Sequence, residues 1–166
     1  MPAFEACLAA LRQPGPPEAF FKVLDKALSE VVGHKLFTLL YVAPDRKRVK
    51  RLYTSMPKEY PVGGYKPVME TDWHKRVVGE GRAWVGHDYD DVKWAFFDHE
   101  LIRSLGCESA INMPVVYAGR VLGTMNLLDE AGHYKEDDPA KLEPFAALMI
   151  GPFLDAIAAD PDIGGK

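Results

Sequence analysis

Three stretches of the chain repeat apolar residues at three- and four-residue intervals, which predicts three helices. Phe4, Cys7, Leu8 and Leu11 mark a short amphipathic helix, closed by Gln13-Pro14-Gly15-Pro16-Pro17. Phe20, Val23, Leu24, Ala27, Leu28 and Val31 form a core-facing stripe between Pro17, near the first helical position, and Gly33, past the last. The third runs from Asp137-Asp138-Pro139, read as an N-cap with proline in the first turn, through Leu142, Phe145, Ala146, Met149, Ile150, Phe153, Leu154 and Ile157. Pro144 and Pro152 each remove an interior N–H, so a kink is expected near Pro152 rather than a straight rod.

Between these helices the pattern changes to strands. Leu36 to Val42 is apolar on both alternations, as in a central strand, which leaves open which alternation faces inward. Val49 to Ser55 is mixed and nearer an edge, and the two should form a hairpin. Pro57, Pro61, Gly63, Gly64 and Pro67 predict a loop, followed by a short helix over Glu70 to Gly79 with Trp73 and Val77 inward, then a short strand at Ala83 to Gly86. Two apolar runs between Leu105 and Tyr134 flank Tyr117-Ala118-Gly119-Arg120 and read as a hairpin too apolar to leave a face in water. A two-residue turn at Ala118-Gly119 pairs Val116 with Val121 and Asn112 with Met125. That register sets Ser109, Ile111, Met113, Leu122, Thr124, Asn126 and Leu128 on one face.

The segment from His87 to Ser104 has no clean period but carries Tyr89, Trp94, Phe96, Phe97 and His99 among acidic residues, as short helices or turns folding over a sheet would. These rings can serve either as the lid of a pocket or as core filling under a long loop.

Length and composition bound this picture. With 166 residues and 48% hydrophobic composition the chain supports one core. The domain is expected over 17–159, after a short helix and linker over 1–16 and before a disordered tail over 160–166. A net charge of −4 argues against a nucleic-acid surface. The basic run Arg46 to Arg51 reads as a solvated hairpin edge. No apolar run has the length of a membrane span and Met1 to Glu5 lacks a basic leader, so no membrane partner and a cytoplasmic location are expected.

Candidate chemistry is sparse. Cys7 and Cys107 have neither metal nor redox spacing, and no His or Lys neighbours Cys107 in sequence to activate it. His34, His74, His87, His99 and His133 form no metal-ligand spacing, and no nucleophile triad, phosphate loop or paired carboxylate stands out. No catalytic residue, metal ligand or particular cofactor is therefore assigned.

Leu105-Gly106-Cys107-Glu108-Ser109-Ala110-Ile111, Met113-Pro114-Val115 and Gly119-Arg120-Val121-Leu122-Gly123-Thr124-Met125, followed by a long terminal helix, resemble a GAF domain from about Pro17 to Ala159. The resemblance implies an α+β fold with a central antiparallel sheet of five or six strands. The first and last helices would pack on one face, with short helices and loops over a small-molecule pocket on the other. It also implies a non-enzymatic sensory role, often as a homodimer through the terminal helices, exerted here through a signalling partner. The expected pocket residues are Phe37, Leu39 and Tyr41 from the first strand and Trp84, Tyr89, Trp94, Phe97 and His99 from the lid. Ser109, Met113, Thr124 and Asn126 complete them from the hairpin, with a cavity beside Trp94 and Thr124.

Two branches of the family carry recognisable chemistry. Cyclic-nucleotide binders have an Asn-Lys-Phe-Asp-Glu signature whose matching positions here are Asp129, Glu130, Tyr134, Asp138 and Pro139, so the Lys to Asp ion pair is impossible. Free methionine sulfoxide reductases use pocket cysteines, and Cys107 does not stand where theirs does. That thiol enzyme, and an interaction module with a vestigial pocket, are the alternatives. A bilin would need a thiol in the lid, which has none.

Overall fold

A computed structural model describes residues 1–162. Its centre is a six-stranded antiparallel sheet in the order β3-β2-β1-β6-β5-β4, comprising β1 (Leu36–Val42), β2 (Arg48–Thr54), β3 (Lys66–Pro67), β4 (Trp84–Gly86), β5 (Ser109–Tyr117) and β6 (Arg120–Asp129). Four helices cover one face: α1 (Pro2–Leu11), α2 (Pro17–Val31), α6 (Asp138–Leu148) and α7 (Ile150–Ala159). The other face is roofed by α3 (Asp72–His74), which widens into a π-turn over Lys75–Gly79, and by α4 (Tyr89–Ala95) and α5 (His99–Ser104).

The helix-side core unites Phe21, Leu24 and Leu28 of α2 with Phe145 and Phe153 of the terminal helices, over Phe37, Leu39, Ile111, Met125 and Leu127 of the sheet. The first helix belongs to it: Cys7 is fully buried, and the rings of Phe4 and Phe145 meet edge-on at 5.5 Å. From β1, Phe37, Leu39 and Tyr41 face this way, while Leu36, Leu40 and Val42 face the thinner layer opposite.

The terminal helix breaks between Leu148 and Ile150, where its halves bend by 52°. Pro152 cannot donate to the Leu148 carbonyl and its ring would strike it, so the break falls one turn before the proline. Asp137 makes no capping bond. Asp138, the first helical residue, instead accepts from the Lys135 amide in the preceding turn and from the Lys141 ammonium, both at 2.8 Å, which ties the loop to the start of the helix. Among the described residues no single helix is long and apolar enough to cross a membrane.

Two β-bulges decide which side chains share a face. In the β5–β6 hairpin Val116 pairs with Val121 as expected, but the register shifts between Val115 and Val116. Leu122 becomes the extra residue, and beyond it Asn112 pairs with Asn126 rather than Met125. In the β1–β2 pair a second shift leaves Leu52 unpaired, with Tyr53 opposite Leu39 and Arg51 opposite Leu40. Tyr53 therefore turns to the helices and Arg51 to the other face.

The hairpin turn puts both central residues at positive φ, Ala118 at 51° and Gly119 at 75°. An L-residue with a Cβ pays steric strain there that asparagine tolerates better. Ala118→Asn is expected to raise stability by about 1 kcal/mol, read as an increased denaturation midpoint at unchanged slope. At Gly123 a Cβ would collide with the Leu40 carbonyl and lie 2.8 Å from the Phe153 ring. Gly123→Ala should cost about 1–3 kcal/mol, measured by the same denaturation.

Asp160, the first residue of the expected tail, is held against the sheet. Asp160 is 4% exposed and accepts hydrogen bonds from the hydroxyls of Tyr41 and Tyr65, with Lys50 Nζ at 3.4 Å. Residues 163–166 of that expectation lie outside the described residues.

Candidate ligand pocket

On the face away from the main helices, a cavity of about 120 Å³ lies over the centre of the sheet. Its floor is a row of polar side chains that the β5–β6 bulge aligns. Trp73 Nε1 donates to Asn112 Oδ1 at 3.0 Å, Asn112 Nδ2 to Asn126 Oδ1 at 2.7 Å, and Asn126 Nδ2 to Thr38 Oγ1 at 3.1 Å. Leu40, Ile102 and Leu128 supply aliphatic wall, and Trp73 and Phe96 meet at 5.7 Å to close one side. Tyr60 and Arg51 complete the lining.

These last two come from β2 and the loop after it. The Tyr60 hydroxyl donates to Asp98 at 2.6 Å, tying that loop to the segment before α5. The Arg51 guanidinium stacks 3.8 Å over the Tyr60 ring and donates to the Pro61 carbonyl at 2.6 Å. Burial, then the charge of Asp98, pushes the Tyr60 phenol well above its usual range, so it stays a neutral donor.

A wider, open cleft of about 500 Å³ adjoins the cavity, sharing Leu40, Trp73 and Phe96 with it. Its rim carries Trp94, Phe97 and His99. Two buried polar atoms in this layer have no hydrogen-bond partner, Thr124 Oγ1 and His74 Nε2. Thr124 stands opposite Leu40 in the sheet, and His74 lines the cleft. Burial, reinforced by Arg46, lowers the His74 pKa, so its ring is neutral near pH 7.

The expected site residues divide accordingly. Asn126 lies in the cavity floor and Thr124 on the same sheet face, while Trp94, Phe97 and His99 border the cleft. Trp84 backs the lid, its ring 5.8 Å from Trp94 and 6.0 Å from Phe96. Tyr89 is taken up with His99 Nδ1, 2.8 Å away, and with Arg103 over its ring. Four assignments are corrected: Phe37, Leu39, Tyr41 and Met113 point into the helix-side core, because the opposite alternation of β1 and the shifted register of β5 face the cavity. Ser109 is also outside it, donating to the carbonyls of Asp129 and Glu130 at the strand end.

Thr38, Arg51, Tyr60, Trp73 and Asn112 were not among the expected residues, and the cavity sits over the asparagine pair rather than beside Trp94. A usable signal existed: Thr38, Asn112, Thr124 and Asn126 are the polar residues in the interiors of otherwise apolar strands, and a one-residue bulge brings Asn112 onto the face of the other three.

No protein-family model matches the chain, and no curated protein matches it by sequence. Solved structures do match over nearly the whole chain. The GAF domain of an Acinetobacter phosphoenolpyruvate-protein phosphotransferase superimposes with a TM-score of 0.74 at 12% identity, covering 96% of this chain and 95% of that one. The GAF domain of the corresponding Coxiella burnetii phosphotransferase gives 0.74 at 14% identity, covering 95% and 94%. The fold is that of a GAF domain. A third match, a far-red-absorbing dark state with bound biliverdin, gives 0.66 at 14% identity over 93% and 98% of the two chains.

Within this GAF fold the cysteines stand apart. Cys7 belongs to the helix-side core and Cys107 to the cluster under the lid. Burial pushes both thiols up to about 11, in Cys107 with added repulsion from Asp129. Among the described residues, no group of three or more His, Cys, Asp or Glu side chains is placed to hold a metal ion.

Proposed function

We propose that this GAF-fold chain is a non-enzymatic sensory module that binds a small molecule in the Asn112–Asn126 cavity and passes the bound state to a signalling partner. The observation that carries this reading is the row of hydrogen-bonding side chains on a cavity floor in the middle of a sheet. A fold stabilised by burial alone would fill that space with apolar side chains, because buried amides cost stability unless every group is paired.

The matched structures support a sensory role, since they include the GAF domain of a two-component sensor histidine kinase and a far-red-absorbing dark state with bound biliverdin. The thiol-enzyme reading is disfavoured because a thiol pushed up to about 11 supplies almost no thiolate near pH 7. Neither the spacing of the cysteines nor their burial suits a nucleophile and resolving pair.

Pairing into a homodimer through the terminal helices belongs to the same proposal. An open, mostly apolar groove of about 980 Å³ runs between the α1–α2 linker and α7, bordered by Leu11, Pro14, Phe20, Leu148 and Pro152. Sedimentation of the purified protein should give twice the monomer mass; a monomer at all accessible concentrations removes this part. The placement is proposed to be cytoplasmic.

Native mass spectrometry of the purified chain, with an absorption spectrum, tests the binding reading. A co-purifying molecule that is lost in Asn126→Leu supports it. A bare chain whose Asn112 and Asn126 side-chain NMR signals ignore a fragment library would overturn it.

A further inference from the structure

We infer that the cavity selects a single-ring aromatic or heteroaromatic monocarboxylate, with Arg51 meeting its charge and Asn112 and Asn126 meeting a polar group across the ring. This rests on the reading that the cavity binds a small molecule and adds the chemical class of that molecule.

The charge balance points to an anion. Arg51 is the charged side chain lining the cavity, and no carboxylate lines it. Among the described residues Arg51 has no ion-pair partner; the Pro61 carbonyl and the Tyr60 ring that hold it are both neutral. Asp98, the acid next to Tyr60, already accepts the phenol proton at 2.6 Å. A guanidinium fixed by neutral partners keeps N–H donors for a planar carboxylate.

Size and shape point to one ring. The volume of about 120 Å³ is below the roughly 150 Å³ of an apolar cavity that takes up benzene, so nothing larger than one ring is enclosed and its polar substituents must reach the lining side chains at the edge. Tyr60, Trp73 and Phe96 supply aromatic surface for a flat ligand. A second carboxylate would face aliphatic wall and amides with no cation to meet it, which disfavours diacids.

The floor adds selectivity at the far edge. In the chain of bonds from Trp73 to Thr38 each asparagine uses one amide hydrogen and one lone pair, leaving one of each. A ring hydroxyl or ring nitrogen opposite the carboxylate can pair with them.

The test is isothermal titration of the full chain at low ionic strength with 4-hydroxybenzoate, benzoate and benzamide. Benzoate should bind at least about tenfold more tightly than benzamide, the neutral analogue of the same shape, and 4-hydroxybenzoate more tightly still. Arg51→Gln should bring benzoate and benzamide to within about twofold, whereas Arg51→Lys keeps part of the preference. Should Arg51→Gln not fold, the wild-type comparison at high salt carries the same information, because screening weakens benzoate alone. Benzamide binding as tightly as benzoate to the wild type overturns the assignment of charge and leaves the small-molecule reading standing. Failure of all three probes to bind overturns the inference; the small-molecule reading falls with it only if native mass spectra also show an empty chain.

Discussion

Asn126→Leu is expected to destabilise the protein by about 2–3 kcal/mol, although leucine shares asparagine's branching at Cγ and adds apolar surface. The amide is the middle link between Asn112 and Thr38, so its loss strands the Asn112 Nδ2 donor and leaves Thr38 Oγ1 without its amide donor. Asn112 and Thr38 are 1% and 4% exposed, so bulk water does not reach them readily. A single stranded buried polar group costs about 1–3 kcal/mol. Asn112→Leu should cost a similar amount because it strands Trp73 Nε1 as well as Asn126 Oδ1. The double substitution should cost less than the two singles together, by about 1 kcal/mol or more, since the second change removes a group the first had stranded. Urea denaturation of the four proteins measures this, and strict additivity would mean that the asparagines do not interact.

Asp160→Ala should cost about 3 kcal/mol and separates the anchoring role of the chain's end from its helix. The change strands the Tyr41 hydroxyl, on a residue 2% exposed, and removes the acceptor for Tyr65 and the counter-charge for Lys50. Burial alone would raise the Asp160 pKa. Hydrogen bonds from Tyr41, Tyr65, the Asp162 amide and Lys50 outweigh it and hold the pKa at about 2, below the ordinary 3.8.

A carboxyl depressed in the folded state stabilises fully above its unfolded value, and the contribution disappears as pH falls through the folded one. The window is therefore about pH 4 down to pH 2, and the shift is worth about 2 kcal/mol. Asp160→Asn, which keeps an acceptor but cannot ionise, should lose less than Asp160→Ala at pH 7. It should also show a stability profile flatter than the wild type by that amount between pH 4 and pH 2. An unchanged acid profile would place the depressed carboxyl elsewhere.

Tyr65 also links this anchor to the pocket. It lies five positions after Tyr60 in the segment joining β2 to β3, so one short stretch touches both the cavity and the end of α7. Movement of Tyr60 on ligand binding would be felt at Asp160 through few intervening residues.

The helices and strand positions were legible because each buries one stripe or alternation against a definite neighbour, as α2 does with Phe20, Leu24, Ala27 and Leu28. The faces were not. β1 is buried at six of its seven positions and β5 over its first seven, so apolar alternation carries little information about which side a residue takes. Each bulge then moves half a strand by one residue, turning Asn112 and Arg51 toward the cavity; the one at Leu52 has no glycine or proline beside it, whereas Pro114 and Gly123 flank the one at Leu122 and were the unread signal. The two-residue β3 was hidden for another reason: Lys66 and Pro67 read as loop and pair only because the edge of β2 is open beside them.

The most direct measurement is a NOESY spectrum of the labelled protein read at the side-chain amides of Asn112 and Asn126. The bulged register requires cross-peaks between the two amides and from Asn112 to the Trp73 indole N–H. Cross-peaks from the Asn112 amide to the Met125 methyl, with none to Trp73, would place Asn112 among the helices and leave the cavity without its polar floor.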